Sequence, residues 1–452
     1  MDNVSTINKD LSDSKLSDAP NASDVLSERG QANYKNLYPV LSSFIDILRD
    51  TYDPEENPGG VINAGIAENS LNYRVVEEYY SSLDIKFTDL TYGDGVGSSQ
   101  RLKDLYAGFI NHRLKPTHKL DSDSIFVGSG VGGVIDALVY NMCDPGDGVL
   151  VAEPYYNGFD VDFTVRSSAI PVGVKLDHLD SPFSYKALEA FEKTYLAKKK
   201  EGIVCKAVML CNPHNPLGRC YPRSTIREYI RFCKKYDLWL ISDEIYAFSI
   251  FDTPDSLAAT GEDKAFAPYH SILSFEDEEL DGFDKICFLH GMSKDFCANG
   301  FRMGCCVLPY DGPLRIAMSA SSILGKVSSL TDIAFSKILA DKAFLDEFLD
   351  GNKQKLKAAY TVFDSWAKAH GVKYMPSHAG HFVVLDLPES TKSDGWADEL
   401  ALQQMLIKKH KIFVSTGAMY HFSEPGFFRW TFTMRPDYAA VALERLATGL
   451  GL

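Results

Sequence analysis

The stretch HGMSKDFCANGFRMG, residues 290–304, decides the fold of this chain. It follows the apolar run KICFL, which predicts a buried strand. Lys294 comes just after that strand, and Arg302 follows eight residues later, after a turn that we expect Gly300 to allow. A run that reads as a buried strand therefore ends by placing a lysine and then an arginine on one glycine-containing turn, which requires an explanation.

Working outward from this stretch, short apolar runs alternate with helical stretches. The strand-like runs are GVLVA, AIPVGV, KAVMLC, LWLIS, KICFL and CCVL. This alternation predicts an α/β fold, with a mostly parallel central sheet covered by helices on both faces. Ligands of such sheets bind at the carboxyl ends of the strands. One strand, SIFVG, runs into the glycine turn GSGVGG at 128–133 and then into an apolar helix, which is the order of a phosphate-binding turn.

Changes in composition and apolar periodicity divide the chain into four parts. Residues 1–30 are rich in Ser, Asp and Asn, and we expect a disordered tail. We expect residues 31–90 to form an N-terminal segment that packs with the smaller domain, and residues 91–328 to form the large domain. Residues 329–452, with a long helical stretch followed by FVVLDL, KIFVST and FRWTF, predict the smaller α+β domain.

Composition excludes several classes of protein. A formal net charge of -15 argues against a nucleic-acid surface, which needs an excess of Lys and Arg. No run approaches the roughly 20 apolar residues of a membrane span. The nine cysteines have no CxxC spacing, so we expect buried, reduced thiols, no metal site and a cytoplasmic location.

Polar groups follow four of the predicted strands: CNPHNPLGR, SDEIY, SKDF with GFR, and the glycine turn. Each has an ordinary local explanation, since a loop lysine is usually a solvated charge and a strand-end aspartate often caps a helix. As a set they supply a lysine for a Schiff base, a carboxylate for a pyridinium proton, donors for a phenolic oxygen, and glycines with an arginine for a phosphate. These are the groups that pyridoxal phosphate requires.

Their order and spacing resemble the fold type I family of pyridoxal-phosphate enzymes, the class I/II aminotransferases, over roughly residues 55–445. The resemblance implies that the large domain binds pyridoxal 5'-phosphate. Lys294 matches the lysine that bonds the cofactor aldehyde and later moves the Cα proton. Asp243 matches the carboxylate that keeps the pyridine nitrogen protonated, and Tyr246 and Asn215 match the pair that bonds the phenolic oxygen.

The phosphate and the ring are matched by further residues. Arg302 resembles the phosphate-binding arginine, with backbone N–H groups of Val131 and Gly132 beside it. Tyr156 matches the aromatic residue stacked on the pyridine ring, with Tyr155 as the alternative. Tyr92 resembles a tyrosine that reaches the partner subunit's cofactor, which implies a homodimer with shared active sites.

Three segments look like the 1-aminocyclopropane-1-carboxylate (ACC) synthase branch of the family. They are INAGIAENSL at 62–71, DPGDGVLVAEPYYNGFDVDF at 144–163 and SEPGFFRWTF at 423–432. Arg429 then matches the arginine that binds the substrate α-carboxylate, and Glu68 a glutamate near the substrate. The alternative for Glu68 is a solvated loop carboxylate. His381 stands where the family usually has an apolar or aromatic residue, and we hypothesise that it tunes substrate choice, although a lone histidine is more often structural.

The implied reaction is elimination from S-adenosylmethionine or a related sulfur-containing amino acid. Two other reactions use the same residues: transfer of the amino group to a 2-oxo acid, and C–S β-lysis of cysteine S-conjugates. A catalytically silent regulatory relative is the non-enzyme alternative. One departure stands out, because Gly291 occupies a position that often holds a phosphate-binding serine; Ser293 is a possible replacement.

Overall fold

The computed structural model describes residues 25–95, 97–258, 266–310, 312–387 and 393–452. Most of the expected tail, residues 1–24, therefore lies outside the described residues. The first helix begins at Glu28, before the end of that expected tail. Ser27 caps this helix, because its side chain accepts a hydrogen bond from the Gly30 N–H at 3.2 Å.

The elements alternate along the middle of the chain, as the sequence pattern predicts. The helices are α1 Glu28–Arg49, α2 Tyr73–Tyr80, α3 Gln100–Arg113, α4 Gly130–Met142, α5 Gly158–Thr164, α6 Ala187–Lys200, α7 Arg223–Tyr236, α8 Pro254–Ala258, α9 Asp277–Leu280, α10 Gly312–Ser321, α11 Ser329–Ala340, α12 Lys342–Ala369, α13 Trp396–His410 and α14 Pro436–Leu450. The strands are β1 Ile62–Asn63, β2 Ile125–Gly128, β3 Gly148–Ala152, β4 Ile170–Val174, β5 Cys205–Cys211, β6 Trp239–Asp243, β7 Ile286–Gly291, β8 Gly304–Val307, β9 Lys373–Met375, β10 Phe382–Asp386, β11 Ile412–Phe413, β12 Ser415–Thr416 and β13 Phe427–Thr431.

The central sheet has seven strands in the order β2-β8-β7-β6-β5-β3-β4. Its pairs are parallel except at β8, which runs antiparallel to both neighbours. The prediction of a mostly parallel sheet is confirmed. Because β5, β6 and β7 run in the same direction, the loops that follow them all leave from one edge of the sheet.

Both faces of the central sheet are buried. Along β5, Val208 and Leu210 pack into one apolar cluster, whereas Ala207 and Met209 pack into a second cluster on the opposite face. Successive side chains of a strand point to opposite faces, so this division requires cover on both sides. The helices provide that cover, which explains why the strands read as continuous apolar runs.

The C-terminal part builds a second, antiparallel sheet in the order β12-β13-β10-β9. It packs with α12, α13 and α14 around a separate apolar cluster. The strand β1 pairs in parallel with β11, so that the N-terminal segment contacts this part of the chain. The expected single strand KIFVST is divided into β11 and β12.

Two expectations from composition concern cysteines and membranes. All nine cysteines lie in the described ranges as free thiols, and all are buried except the half-buried Cys297, as predicted. Among the helices of the described ranges, none is both long and apolar enough to cross a membrane. The same part of the chain holds no group of three His, Cys, Asp or Glu side chains arranged for a metal ion.

Candidate active site

The predicted site residues gather at the carboxyl edge of the central sheet. The sheet register places Asp243, the last residue of β6, between Cys211 of β5 and Leu289 of β7. Asn215, Tyr246 and Lys294 follow the ends of these three strands closely in sequence. The parallel arrangement alone therefore brings side chains from separate motifs to one place.

Lys294 is half-buried in the loop after β7. Its amine donates a hydrogen bond to the backbone oxygen of Ala67 at 2.6 Å. Burial and, to a smaller extent, the positive charge of Arg429 lower the pKa of Lys294 from 10.5 to about 8, although Glu68 opposes this fall. A lysine with this pKa has a substantial neutral fraction near pH 8, and the neutral amine is the form that acts as nucleophile or base.

Asp243 is a buried carboxyl group that accepts a hydrogen bond from the Ile245 N–H at 3.2 Å. Burial raises its pKa from 3.8 to about 7, while the Ile245 hydrogen bond and the charge of Lys294 oppose that rise. Burial deprives the ionised form of this carboxyl group of water. A protonated ring nitrogen placed against it would supply a positive charge that stabilises the ionised form.

Arg429, in β13, is only 4% exposed. One of its terminal nitrogens donates to Asn215 Oδ1 at 3.0 Å and the other donates to the backbone oxygen of Gly65. Its Nε has no hydrogen-bond partner, and no carboxylate of the described residues forms an ion pair with the guanidinium. The cation packs on the rings of Phe382 and Tyr420, with its carbon 4.8 and 4.7 Å from their centroids. A buried cation without a counter-ion suits an incoming carboxylate.

The glycine turn, the end of β7 and the start of β8 approach each other backbone to backbone. A Cβ atom on Gly130 would lie 2.5 Å from Nη2 of Arg302, and one on Gly304 would lie 2.5 Å from the Val131 nitrogen. Arg302 has a left-handed backbone, φ 54°, and its Nη1 donates to the Asn299 oxygen at 3.0 Å. This guanidinium therefore lies beside the N-terminus of α4, a combination that suits a phosphate group.

The same close packing explains Gly291. A Cβ atom at this position would lie 2.5 Å from the Met303 carbonyl oxygen, so that a serine does not fit without displacement of β8. The expectation that Gly300 allows the turn is wrong: the positive φ values occur at Cys297 and Arg302, both 54°, and not at Gly300.

The two tyrosines of the PYY motif have different surroundings. The Tyr155 hydroxyl donates to Asp160 at 2.8 Å, and its ring stacks on His421 with centroids 4.2 Å apart. Tyr156 is 36% exposed. Burial of its hydroxyl and the charge of Asp162 raise the pKa of Tyr156, while Arg429 opposes this rise. Tyr156, not Tyr155, is therefore the tyrosine that faces the charged residues of the site.

Glu68 approaches Lys294 from the N-terminal segment, and His381 approaches it from the position just before β10. Glu68 Oε1 accepts a hydrogen bond from Asn299 Nδ2 at 2.6 Å. The His381 ring is fully buried, and its centroid lies 5.2 Å from that of Tyr246. Burial, together with the charge of Lys294, holds the pKa of His381 well below 6.5, so the ring is neutral.

Tyr92 lies apart from these residues. Its side chain is 92% exposed, and its backbone oxygen accepts a hydrogen bond from Lys326. Within one chain it does not take part in the site, and a contact with a partner subunit stays a prediction.

Sequence reasoning missed several residues of the site. Asp162 lies beside the start of α4, since a Cβ atom on Gly132 would be 3.0 Å from its Oδ1. Burial and the nearby charge of Asp243 raise the pKa of Asp162 to about 7. The Ala67 carbonyl and the ring of Tyr420 were also missed. The motif GFDVDF offered a signal for Asp162, because it places a second aspartate on the helix that follows the PYY motif.

Comparisons with known proteins identify relatives of this chain. The family model described as "Aminotransferase class I and II" matches residues 81–446. A probable aminotransferase, aclI, from Aspergillus oryzae is 31% identical over 94% of this chain and 98% of its own length. The 1-aminocyclopropane-1-carboxylate synthase 2 of Cucurbita pepo is 31% identical over 87% of this chain and 79% of its own. The structure of an aspartate aminotransferase from Thermus thermophilus with maleate superposes with a TM-score of 0.70 at 17% identity, over 94% of this chain and 99% of the other, which shows the shared fold.

Proposed function

The chain belongs to the aminotransferase class I and II family, whose members in general depend on pyridoxal phosphate, and from this premise we propose that it is a pyridoxal-phosphate enzyme acting at Cα of an amino acid. The reaction that we propose resembles that of ACC synthase: removal of the α-proton and expulsion of a sulfur-bearing group from S-adenosylmethionine or a related amino acid.

The donor set fits the cofactor. Arg302 and the N-terminus of α4 form a cradle at Gly130, whose φ of +76° is a conformation that other residues rarely adopt, and both can contact a phosphate there. Asp243 would hold the ring nitrogen, and Tyr246 would donate to the phenolic oxygen. Asn215 can donate there too, because its Oδ1 is already used by Arg429 and its amide nitrogen stays available.

The remaining parts of the cofactor have matching residues. Lys294 would bond the aldehyde carbon, and Tyr156 would cover the ring. When bound, pyridoxal phosphate supplies an electron sink conjugated to the Cα atom of the amino acid.

The observation that carries the proposal is that Lys294 and Arg429 donate to the backbone oxygens of Ala67 and Gly65, two residues apart in the N-terminal segment. The charge of Arg429 also lowers the pKa of Lys294. Arg429 would bind the α-carboxylate through two parallel hydrogen bonds and so orient Cα towards Lys294. The Lys294 amine, which is partly neutral near pH 8, would then take the α-proton and deliver it elsewhere.

One carboxylate at the site supports a substrate with a neutral or positive side chain. Glu68 acts on Lys294, whereas Asp162, whose raised pKa of about 7 leaves it partly neutral, lies beside the phosphate cradle and acts on Arg302 and Asp243. A second carboxylate on the substrate would meet like charges, whereas a sulfonium group would be attracted. This distribution favours S-adenosylmethionine over aspartate or glutamate.

Two other reactions stay open as alternatives. Transamination is favoured by the name of the Aspergillus oryzae relative, a probable aminotransferase that aligns over 98% of its length. A C–S β-lyase would use the same residues with the leaving group on Cβ. A catalytically silent protein is disfavoured, because Lys294, Asp243 and Arg429 are all present with charges that act on one another.

Product analysis separates these reactions. The purified protein with pyridoxal phosphate is incubated with S-adenosylmethionine, with cysteine S-conjugates, and with an amino donor plus 2-oxoglutarate. Formation of ACC indicates an ACC synthase. Pyruvate with ammonia and a thiol indicates a C–S β-lyase, and glutamate with a new oxo acid indicates a transaminase. Failure of every substrate to lose its α-proton to solvent would reject the proposal.

We also propose a homodimer in the cytoplasm. Tyr92 lies beside two other strongly exposed apolar side chains, Phe87 and Leu90, which a second copy could cover. The nine free thiols suit a reducing compartment. Light scattering of the purified chain tests the dimer, since a monomer at micromolar concentration would contradict it, and microscopy of a tagged chain tests the location.

A further inference from the structure

A buried chain of hydrogen bonds runs behind Lys294. Asp295, the next residue, has no exposed surface. Its Oδ2 lies 3.0 Å from His290 Nε2 and accepts the Phe248 N–H at 3.1 Å. Its Oδ1 accepts the hydroxyl of Ser249 at 2.5 Å.

Ser249 links Asp295 to His381 by hydrogen bonds. The Ser249 oxygen lies 3.1 Å from His381 Nε2, and both residues are fully buried. A serine hydroxyl has one proton, and an ionised carboxylate only accepts. The Ser249 proton is therefore committed to Asp295, and the Ser249 oxygen must accept a hydrogen bond from His381.

This count of donors defines the tautomer of His381. Nε2 carries the proton, and Nδ1 keeps a lone pair. Burial holds the pKa of His381 well below 6.5, so the ring is neutral and has no second proton. Nδ1 is buried and has no hydrogen-bond partner.

The groups that face the His381 ring are Tyr246, Ser249, Lys294, Arg429 and the backbone oxygen of Ala67, which also accepts from the Lys294 amine. Two of them are cations, which favour a lone pair on the ring, whereas the Ala67 oxygen can only accept and favours an N–H. These neighbours therefore do not select one tautomer by themselves, and the hydrogen bonds from Asp295 decide it.

We propose that Asp295, acting through Ser249, is a positioning residue that fixes the Nε2–H tautomer of His381 and so keeps an unprotonated nitrogen beside Lys294 as an acceptor for amine protons. The tautomer is a property of the chain with or without the cofactor. Only its consequence for an amino-acid substrate rests on the proposed function.

The substitution Asp295→Asn should reverse the direction of the hydrogen bonds that link residue 295, Ser249 and His381. The Phe248 N–H can only donate, so the oxygen of the new amide must replace Oδ2, and the amide nitrogen must replace Oδ1. That nitrogen donates to Ser249, whose hydroxyl then turns towards His381 Nε2. Nε2 becomes the acceptor, and the proton of the neutral ring moves to Nδ1.

The experiment is ¹⁵N NMR of the full-length chain with labelled histidine, with and without pyridoxal phosphate. The signals of His381 are identified by their loss in His381→Gln. We expect the unsubstituted chain to show a protonated Nε2 and an unprotonated Nδ1. Asp295→Asn should exchange the ¹⁵N chemical shifts of these two nitrogens. Asp332→Asn is the matched control, because Asp332 is a buried carboxylate that accepts hydrogen bonds from Ser99 instead, and it should leave His381 unaltered.

Two results would overturn the proposal: an Nδ1–H tautomer in the unsubstituted chain, or an unchanged tautomer in Asp295→Asn. If Asp295→Asn does not fold, Ser249→Ala decides. It removes the bridge, so both tautomers should appear, and a single unchanged Nε2–H form would refute the mechanism. Because the NMR readout needs no turnover, it remains decisive even if every candidate substrate proves inert.

In the loaded enzyme we expect Asp295→Asn to lower kcat about tenfold for the amino acid that proves to be the substrate, with a smaller change in KM. This is the effect of losing one hydrogen bond to a charged group during proton transfer. An equal loss in Asp332→Asn would reveal a general structural effect and contradict a specific role of Asp295.

Discussion

The amine of Lys294 and the backbone oxygen of Ala67 are joined by a hydrogen bond of 2.6 Å. The neighbouring Glu68 makes a second link, to Asn299 on the loop between Lys294 and Arg302, also at 2.6 Å. The N-terminal segment is therefore part of the site and contacts the loop on which both cations lie.

Asp243→Asn should stabilise the cofactor-free protein at high pH. Burial raises the pKa of Asp243 from 3.8 to about 7, so the folded state binds its proton more tightly than the unfolded state. The cost of ionising this buried group is then complete above about pH 7 and absent below about pH 4. We expect the free energy of unfolding to rise by up to about 4 kcal/mol at pH 8, and not at pH 4.

Urea unfolding at both pH values measures this difference. Asp252→Asn is the matched control, because it makes the same substitution at an exposed carboxylate. An equal gain for Asp243→Asn at pH 4 and pH 8 would show that ionisation is not the cause.

Arg429→Lys should weaken substrate binding. Lysine keeps the charge but lacks the planar fork that makes two parallel hydrogen bonds to a carboxylate. Loss of one charge-assisted bond corresponds to a roughly 30- to 100-fold rise in KM. The absorbance of the bound cofactor should persist, and Arg445→Lys, which removes a guanidinium bonded to Gly60 and Lys411 carbonyls, should leave KM unchanged. An unaltered KM in Arg429→Lys would remove this residue from substrate binding.

Gly291→Ala should disturb the phosphate cradle. The added Cβ would lie 2.5 Å from the Met303 oxygen, which forces β8 to move and costs about 1–3 kcal/mol of stability. The affinity for pyridoxal phosphate should fall, as measured by fluorescence titration. Gly300→Ala is the control in the same loop, because nothing lies within 4 Å of its Cβ. Equal affinities in the two variants would contradict the cradle.

His381→Leu should alter the choice among amino acids. The ring lies beside Tyr246 and near the charges of Lys294 and Arg429, so its replacement removes the only lone pair that this side chain offers to the site. We expect the ratio of kcat/KM between a sulfonium substrate and a neutral amino acid to change about tenfold, roughly one hydrogen bond. An unchanged ratio would leave His381 a structural residue.

The sequence predicted the sheet and the positions of its edge residues well. Apolar runs such as KAVML and KICFL can be recognised locally, and parallel strands bring Asp243 and Lys294 to one edge whatever the details of the loops. The helix after GSGVGG was likewise predictable, because glycine spacing and apolar periodicity are local signals.

Long-range contacts were not predictable. The contact between Lys294 and Ala67 joins residues far apart in sequence, and nothing near either residue indicates it. The turn before Arg302 was assigned to Gly300, whereas Cys297 and Arg302 adopt the positive φ values, since tertiary packing overrides local preference there. The hydrogen bonds that link Asp295, Ser249 and His381 join three segments that lie far apart in sequence.

The most direct test of the central claim is borohydride reduction of the protein with pyridoxal phosphate, followed by peptide mass spectrometry. The account predicts a stable phosphopyridoxyl group on Lys294, and loss of both this adduct and turnover in Lys294→Ala. A folded protein that binds pyridoxal phosphate but carries no adduct at Lys294 would contradict the account.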